Sequence, residues 1–219
     1  MEAIVSKTAD YVRAELEGLC SAHDFFHIER VWKLAQRIRA AEGRGDALVI
    51  ELAALLHESF DEKFYTSEKL VEKRAALECF LHESGLDAAR AAQVFFVVNN
   101  VGFGKSLHRG SDFVVTSELA IVEDADRLEA IGAIAVARTF AYGGKKGRAI
   151  HDPAQPVAKP TDKDAYHARN SSSINHFYEK LLLLKDLLHT PSARAMAKDR
   201  HDYMEGFLKQ FLAEWDLDR

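Results

Sequence analysis

An all-α fold is what this sequence predicts, and three observations carry that expectation. All four prolines (Pro153, Pro156, Pro160 and Pro191) fall after residue 152, so nothing before that point forbids helix. Ala, Leu, Glu, Lys and Arg, all good helix formers, dominate the same span. Apolar residues recur at helical rather than strand spacing. With 219 residues, 47% of them hydrophobic and 29% charged, the chain can bury roughly 70% of the surface of its unfolded state, so it needs no disulfide or structural metal to hold together. A metal site, where one exists, is then expected to serve function.

Periodicity places helices near 2–19, 24–42, 46–58, 67–84, 87–100, 113–142, 171–189 and 191–215. Asp24 reads as the N-cap of the second. Gly43, Arg44, Gly45 and Asp46 separate the second from the third, Gly85 closes the fourth, and Gly102 with Gly104 closes the fifth. The span 113–142 is apolar nearly all round except for the run from Glu123 to Glu129. Between 143 and 170 the chain carries Gly143, Gly144, Gly147 and three prolines with little apolar content, which predicts a long mobile loop. Composition does not choose between a lid and a linker there. The whole is expected to form a single domain.

A net charge of -5 and a pI near 6.1 argue against a duplex nucleic-acid binder, while local Lys and Arg leave room for small anionic substrates. Cys20 and Cys79 sit in apolar helical patterns without a CxxC partner, and read as reduced core residues of a cytoplasmic protein. No stretch reaches 18 consecutive apolar residues, and Met1 to Lys7 lacks the basic head of an export signal. Neither membrane spanning nor secretion is expected. Nothing in the sequence fixes an oligomeric state.

Three places carry chemistry. His27 shares a helical face with Val31, Leu34 and Ile38, so it points inward. His57 shares a face with Ile50, Ala53 and Ala54, again the apolar side, and Glu58 stands beside it. A lone inward histidine is more often a hydrogen-bonded core residue than a ligand. Two of them with an acid that is costly to bury alone point to a metal. The third place is Glu123, Asp124, Ala125, Asp126, Arg127, Leu128 and Glu129. Asp126 projects with Leu119 and Val122, and Asp124 with Ala120, Ile121 and Leu128, so helical phase does not say which acid is buried. An ion pair to Arg127 would account for the acids as well.

Together these residues resemble the HD-domain superfamily of metal-dependent phosphohydrolases, and more narrowly its small stand-alone bacterial members. His23, Asp24, His27, Arg30 and Val31 look like the opening motif, Ala54, Leu55, Leu56, His57 and Glu58 like the dyad, and Asp124 to Leu128 like the final acid motif. The likeness continues through Asp61 and Lys63, then Ile131, Gly132, Ala133 and Arg138, and finally His176, Phe177, Glu179, Lys180 and Leu181. It implies that His27, His57, Glu58 and Asp126 hold one divalent cation, for which two nitrogens and two carboxylates suit Mn²⁺, Fe²⁺, Co²⁺, Ni²⁺ or Zn²⁺ better than Ca²⁺, with Mg²⁺ also admissible. Position 58 departs from the family, whose dyad carries Asp.

The implied activity is hydrolysis of a phosphate ester or anhydride by metal-activated water, on a nucleotide: a nucleoside or deoxynucleoside triphosphate cleaved to monophosphate and pyrophosphate. Asp61 is the candidate proton acceptor alongside Glu58, and Lys63, Arg127 and Arg138 are the candidate phosphate contacts. Lys105, Lys145, Lys146 and Arg148 are weaker ones. The departure at position 58 keeps a second reading open, a degenerate module of the same fold that binds metal or nucleotide without turnover.

Overall fold

In the computed structural model, which describes residues 2–16, 24–60, 66–107, 109–158 and 171–218, side-chain caps set most of the helix starts. Helix α1 spans Glu2–Glu15. Asp24 accepts from His27 N to open α2 (Phe25–Glu42), and Asp46 accepts from Leu48 N and Val49 N to open α3 (Ala47–Leu56). Thr66 caps α4 (Ser67–Glu83), Asp87 caps α5 (Ala88–Asn100), and Thr116 caps α7 (Ser117–Glu129), with the single turn α6 (Phe103–Ser106) between the last two. Helix α8 (Ala133–Lys145) starts at Gly132 without a side-chain cap. Ser172 caps α9 (Ser173–Glu179), a 3-10 segment follows over Leu181–Leu187, and Thr190 caps α10 (Pro191–Trp215), which carries proline at its first position. No strand occurs among the described residues.

Helix α3 forms the centre. Leu48, Val49, Ile50 and every residue from Leu52 to Leu56 are buried, because α1, α2, α5 and α7 all pack around it. Helix α2 lies across both α3 and α7. That arrangement brings the start of α2, the end of α3 and the second half of α7 to one place.

Four expectations need correction. The span 113–142 is two helices, broken at Gly132, whose φ of 92° and ψ of -164° lie outside helical space and suit glycine alone. The span 171–189 is α9 plus the 3-10 segment, divided at Lys180. A further turn, α6, stands where Gly102 and Gly104 predicted a break. Cys79 is exposed rather than buried, since α4 buries only Leu77 and Leu81, and its thiol faces Glu83; Cys20 lies outside the described residues.

Helix α8 runs to Lys145, into the expected loop. Beyond it, Ser173 N donates to Ala149 O at 2.9 Å, Ile174 N to Ile150 O at 3.0 Å, and Asn175 Nδ2 to Gln155 O at 2.9 Å. Residues 159–170 lie outside the described set. Among the described residues no helix is long and apolar enough to cross a membrane.

Candidate metal centre

His27 sits in the first turn of α2 and His57 caps the end of α3 in right-handed helical geometry. Glu58 follows in a turn closed by Ser59 N donating to Leu56 O at 2.9 Å. The side chains converge: the two Nε2 atoms are 3.3 Å apart, and Glu58 Oε1 is 3.4 Å from His27 Nε2. One ligand atom from each of His27, His57 and Glu58 falls within 4.8 Å of the others. From α7, Asp126 Oδ1 comes to 3.9 Å from His57 Nε2. The histidines are buried, whereas the Asp126 side chain is 26% exposed, so the cluster opens to solvent on its acidic side.

The outer nitrogen of each ring decides what the inner one can do. His57 Nδ1 lies 2.8 Å from Ala54 O, and a carbonyl only accepts, so Nδ1 carries the proton and Nε2 keeps its lone pair. His27 Nδ1 lies 2.8 Å from Glu129 Oε2, which favours a proton on Nδ1 and leaves Nε2 as the nitrogen turned into the cluster. The two Nε2 atoms and the Glu58 carboxylate therefore face one point, with Asp126 beside His57, which calls for positive charge. Burial opposes a charge on His27, but Glu58, with the contact to Glu129, outweighs it and pushes the pKa up to about 9, so without a cation His27 itself carries the positive charge that the cluster calls for. Burial of His57 outweighs the pull of Asp126 and Glu58 and lowers its pKa. The donor set fits a divalent cation of the kind bound by nitrogen and carboxylate oxygen.

Long-range contacts sort the acids that helical phase left undivided. Asp124 is fully buried and accepts from His189 N, Thr190 N and Thr190 Oγ1 at 2.7 to 2.8 Å, fastening α7 to the start of α10. Glu123 accepts from both Arg109 nitrogens at 2.7 and 2.9 Å and faces His189 Nε2 at 2.9 Å, and Arg127 stands 3.6 Å away. Asp126 is the acid left beside His57.

Arg127 is buried, with its guanidinium committed to Leu187 O at 2.5 Å and His189 Nε2 at 3.0 Å. The side chain of Arg138 is 18% exposed and pairs with Glu129. Lys105 Nζ donates to Val98 O at 3.0 Å, while Lys146 and Arg148 lie over the Tyr142 ring. Asp61, Lys63 and His23 lie outside the described residues. Arg109 was not singled out by sequence reasoning, and Glu129 was named within the acidic run without a role of its own. For Glu129 a signal existed: it stands three residues after Asp126, hence on the same face of α7.

No family model matches the chain. YpgQ from Bacillus subtilis is 30% identical over 208 residues, 93% of this chain and 92% of that one. Its crystal structure in complex with ADP superposes with a TM-score of 0.70, covering 96% of each chain. A Lactobacillus plantarum protein of known structure is 32% identical with a TM-score of 0.88 over 99% of both chains. An HD-superfamily hydrolase from Bacillus thuringiensis is 39% identical with a TM-score of 0.69, covering 97% of this chain and 96% of its own. Likeness to that hydrolase over nearly the full length of both chains shows the family, and the chain belongs to the HD superfamily of hydrolases.

Proposed function

We propose that this hydrolase is a metal-dependent phosphohydrolase acting on nucleotides, releasing monophosphate and pyrophosphate from a nucleoside or deoxynucleoside triphosphate. The observation that carries this reading is the 3.3 Å approach of the two histidine Nε2 atoms with two acids beside them. His27, His57, Glu58 and Asp126 would hold one divalent cation, Mn²⁺, Fe²⁺, Co²⁺, Ni²⁺ or Zn²⁺ in preference to Ca²⁺. When bound, such an ion supplies Lewis acidity, lowering the pKa of a coordinated water and neutralising charge that develops on phosphate oxygens.

The remaining roles belong to the chain. Ala54 O holds the proton on His57 Nδ1, leaving Nε2 as a donor. Glu58 and Asp126 supply two negative charges on the solvent side, and Asp61 is the proposed proton acceptor. Phosphate would meet Lys63 and Arg138; the partial exposure of Arg138 favours it over Arg127, which is buried among its own partners. The ADP complex of YpgQ supports a nucleotide as the ligand. The position of Glu58, 3.4 Å from His27 Nε2, supports an active site over a degenerate binding module.

Elemental analysis of the purified protein, with phosphate and pyrophosphate measured across nucleotides in Mn²⁺, Mg²⁺, Co²⁺ and Ni²⁺, tests the reading. Metal at one equivalent and pyrophosphate release are expected. Phosphate alone would point to a monophosphatase, and inactivity with every metal to the binding module.

A further inference from the structure

Glu129 is 2% exposed, ends α7, and gathers donors from two other helices. Its Oε1 accepts from Arg30 Nε at 2.8 Å and Arg30 Nη2 at 2.7 Å, both from α2. Its Oε2 faces His27 Nδ1 at 2.8 Å and accepts from Arg138 Nη1 of α8. Both oxygens are thus committed. The carboxylate is enclosed by the two guanidinium groups and the imidazole. Rotating it would strand two guanidinium groups, and its orientation toward His27 is therefore fixed from three sides.

We propose that Glu129 is a positioning residue for the metal centre. It keeps the proton of His27 on Nδ1, aims Nε2 into the cluster and raises the basicity of that nitrogen, while Arg30 and Arg138 hold the carboxylate in place. This rests on the reading that His27 ligates a cation. It also separates two uses of charge at the site: Glu58 and Asp126 face the ion, whereas Glu129 acts only through the imidazole. A purely structural ion-pair network would tie α2, α7 and α8 together whichever nitrogen of His27 carried the proton.

Two measurements test it, both on the full chain. Titration with Mn²⁺, read by the EPR signal of the free ion, compares wild type, Glu129→Gln and Arg30→Gln, each checked for folding by circular dichroism. Glu129→Gln is expected to bind Mn²⁺ about 10- to 100-fold more weakly, the range found when partners behind a ligating histidine are removed. Arg30→Gln removes both donors to Oε1 while Arg138 still holds Oε2, and is expected to weaken Mn²⁺ binding by less than Glu129→Gln does. In wild type loaded with Zn²⁺, nitrogen-correlated NMR of His27 should show Nδ1 protonated and Nε2 coordinated, a result that needs no variant to fold. A folded Glu129→Gln that binds Mn²⁺ as tightly as wild type, or a His27 that coordinates through Nδ1, overturns the proposal while leaving the metal centre standing. A wild type that binds neither ion overturns both.

Discussion

The glutamate at position 58 stands where the family's dyad carries aspartate, and its extra methylene moves the carboxylate by about 1.5 Å. Helix α3 ends at Leu56, so Glu58 departs from a turn rather than from helical backbone, and its Oε1 still comes within 3.4 Å of His27 Nε2. Glu58→Gln keeps the shape and removes the charge; it is expected to lower metal retention and to slow hydrolysis by roughly 100-fold, the scale of a misplaced catalytic group. Metal content and initial rate measure both, and unchanged values would put Glu58 outside the ligand set. Position and facing of His27 and His57 were legible from apolar periodicity alone. The choice between Asp124 and Asp126 was not, because α7 is buried on nearly every side and the choice depends on donors from His189 and Thr190, distant in sequence.

Among the elements, the joint between α7 and α8 and the start of α10 depend on single residues. Gly132 holds a φ of 92°, and a Cβ there would lie 3.1 Å from Arg200 Cβ. Gly132→Ala should cost about 1 to 3 kcal/mol through backbone strain, and each kcal/mol lowers Tm by roughly 2 to 4 °C in a chain of this size. A thermal melt equal to wild type would mean that the joint relaxes freely. The same glycine shows why sequence reading ran 113–142 together: apolar periodicity continues from Leu119 through Val136, and one glycine inside it reads as a tolerated helix residue. Asp124 tests the other joint. Asp124→Ala leaves Thr190 N and Oγ1 without their acceptor at the start of α10 and should cost about 1 to 3 kcal/mol. Urea unfolding checks this, and Mn²⁺ affinity of the folded variant should stay at the wild-type value, since Asp124 faces α10 rather than the histidines.

For the molecule as a whole, α7 is the element on which both stability and site converge: Asp126 and Glu129 face the histidine pair, while Glu123 anchors the opposite side to Arg109 and His189. Burial would push the Glu123 carboxyl up, but the hydrogen bonds to His189 and Arg109 and the charge of Arg127 outweigh it and bring the pKa down to about 2. In the unfolded chain the same group titrates near 4.5. Its folded-state preference for the anion is therefore fully stabilising above pH 4.5 and is lost as pH falls from there toward 2, on the order of 3 kcal/mol across that window. Glu129, also lowered, acts in the same direction. Asp124 acts the other way, because burial outweighs its donors and raises its pKa, so acid relieves its desolvation. Glu123 and Glu129 therefore lose stabilisation in acid, and Asp124 offsets part of that loss. Urea unfolding from pH 7 down to pH 2.5 should show a decline that begins near pH 4.5, and Glu123→Gln should be less stable at pH 7 and decline less steeply below pH 4.5. A Glu123→Gln profile parallel to wild type would assign the acid limb to other carboxylates. If it is flattened as expected, the anchor on the far side of α7 helps to keep that helix, and with it Asp126 and Glu129, in place beside the histidine pair.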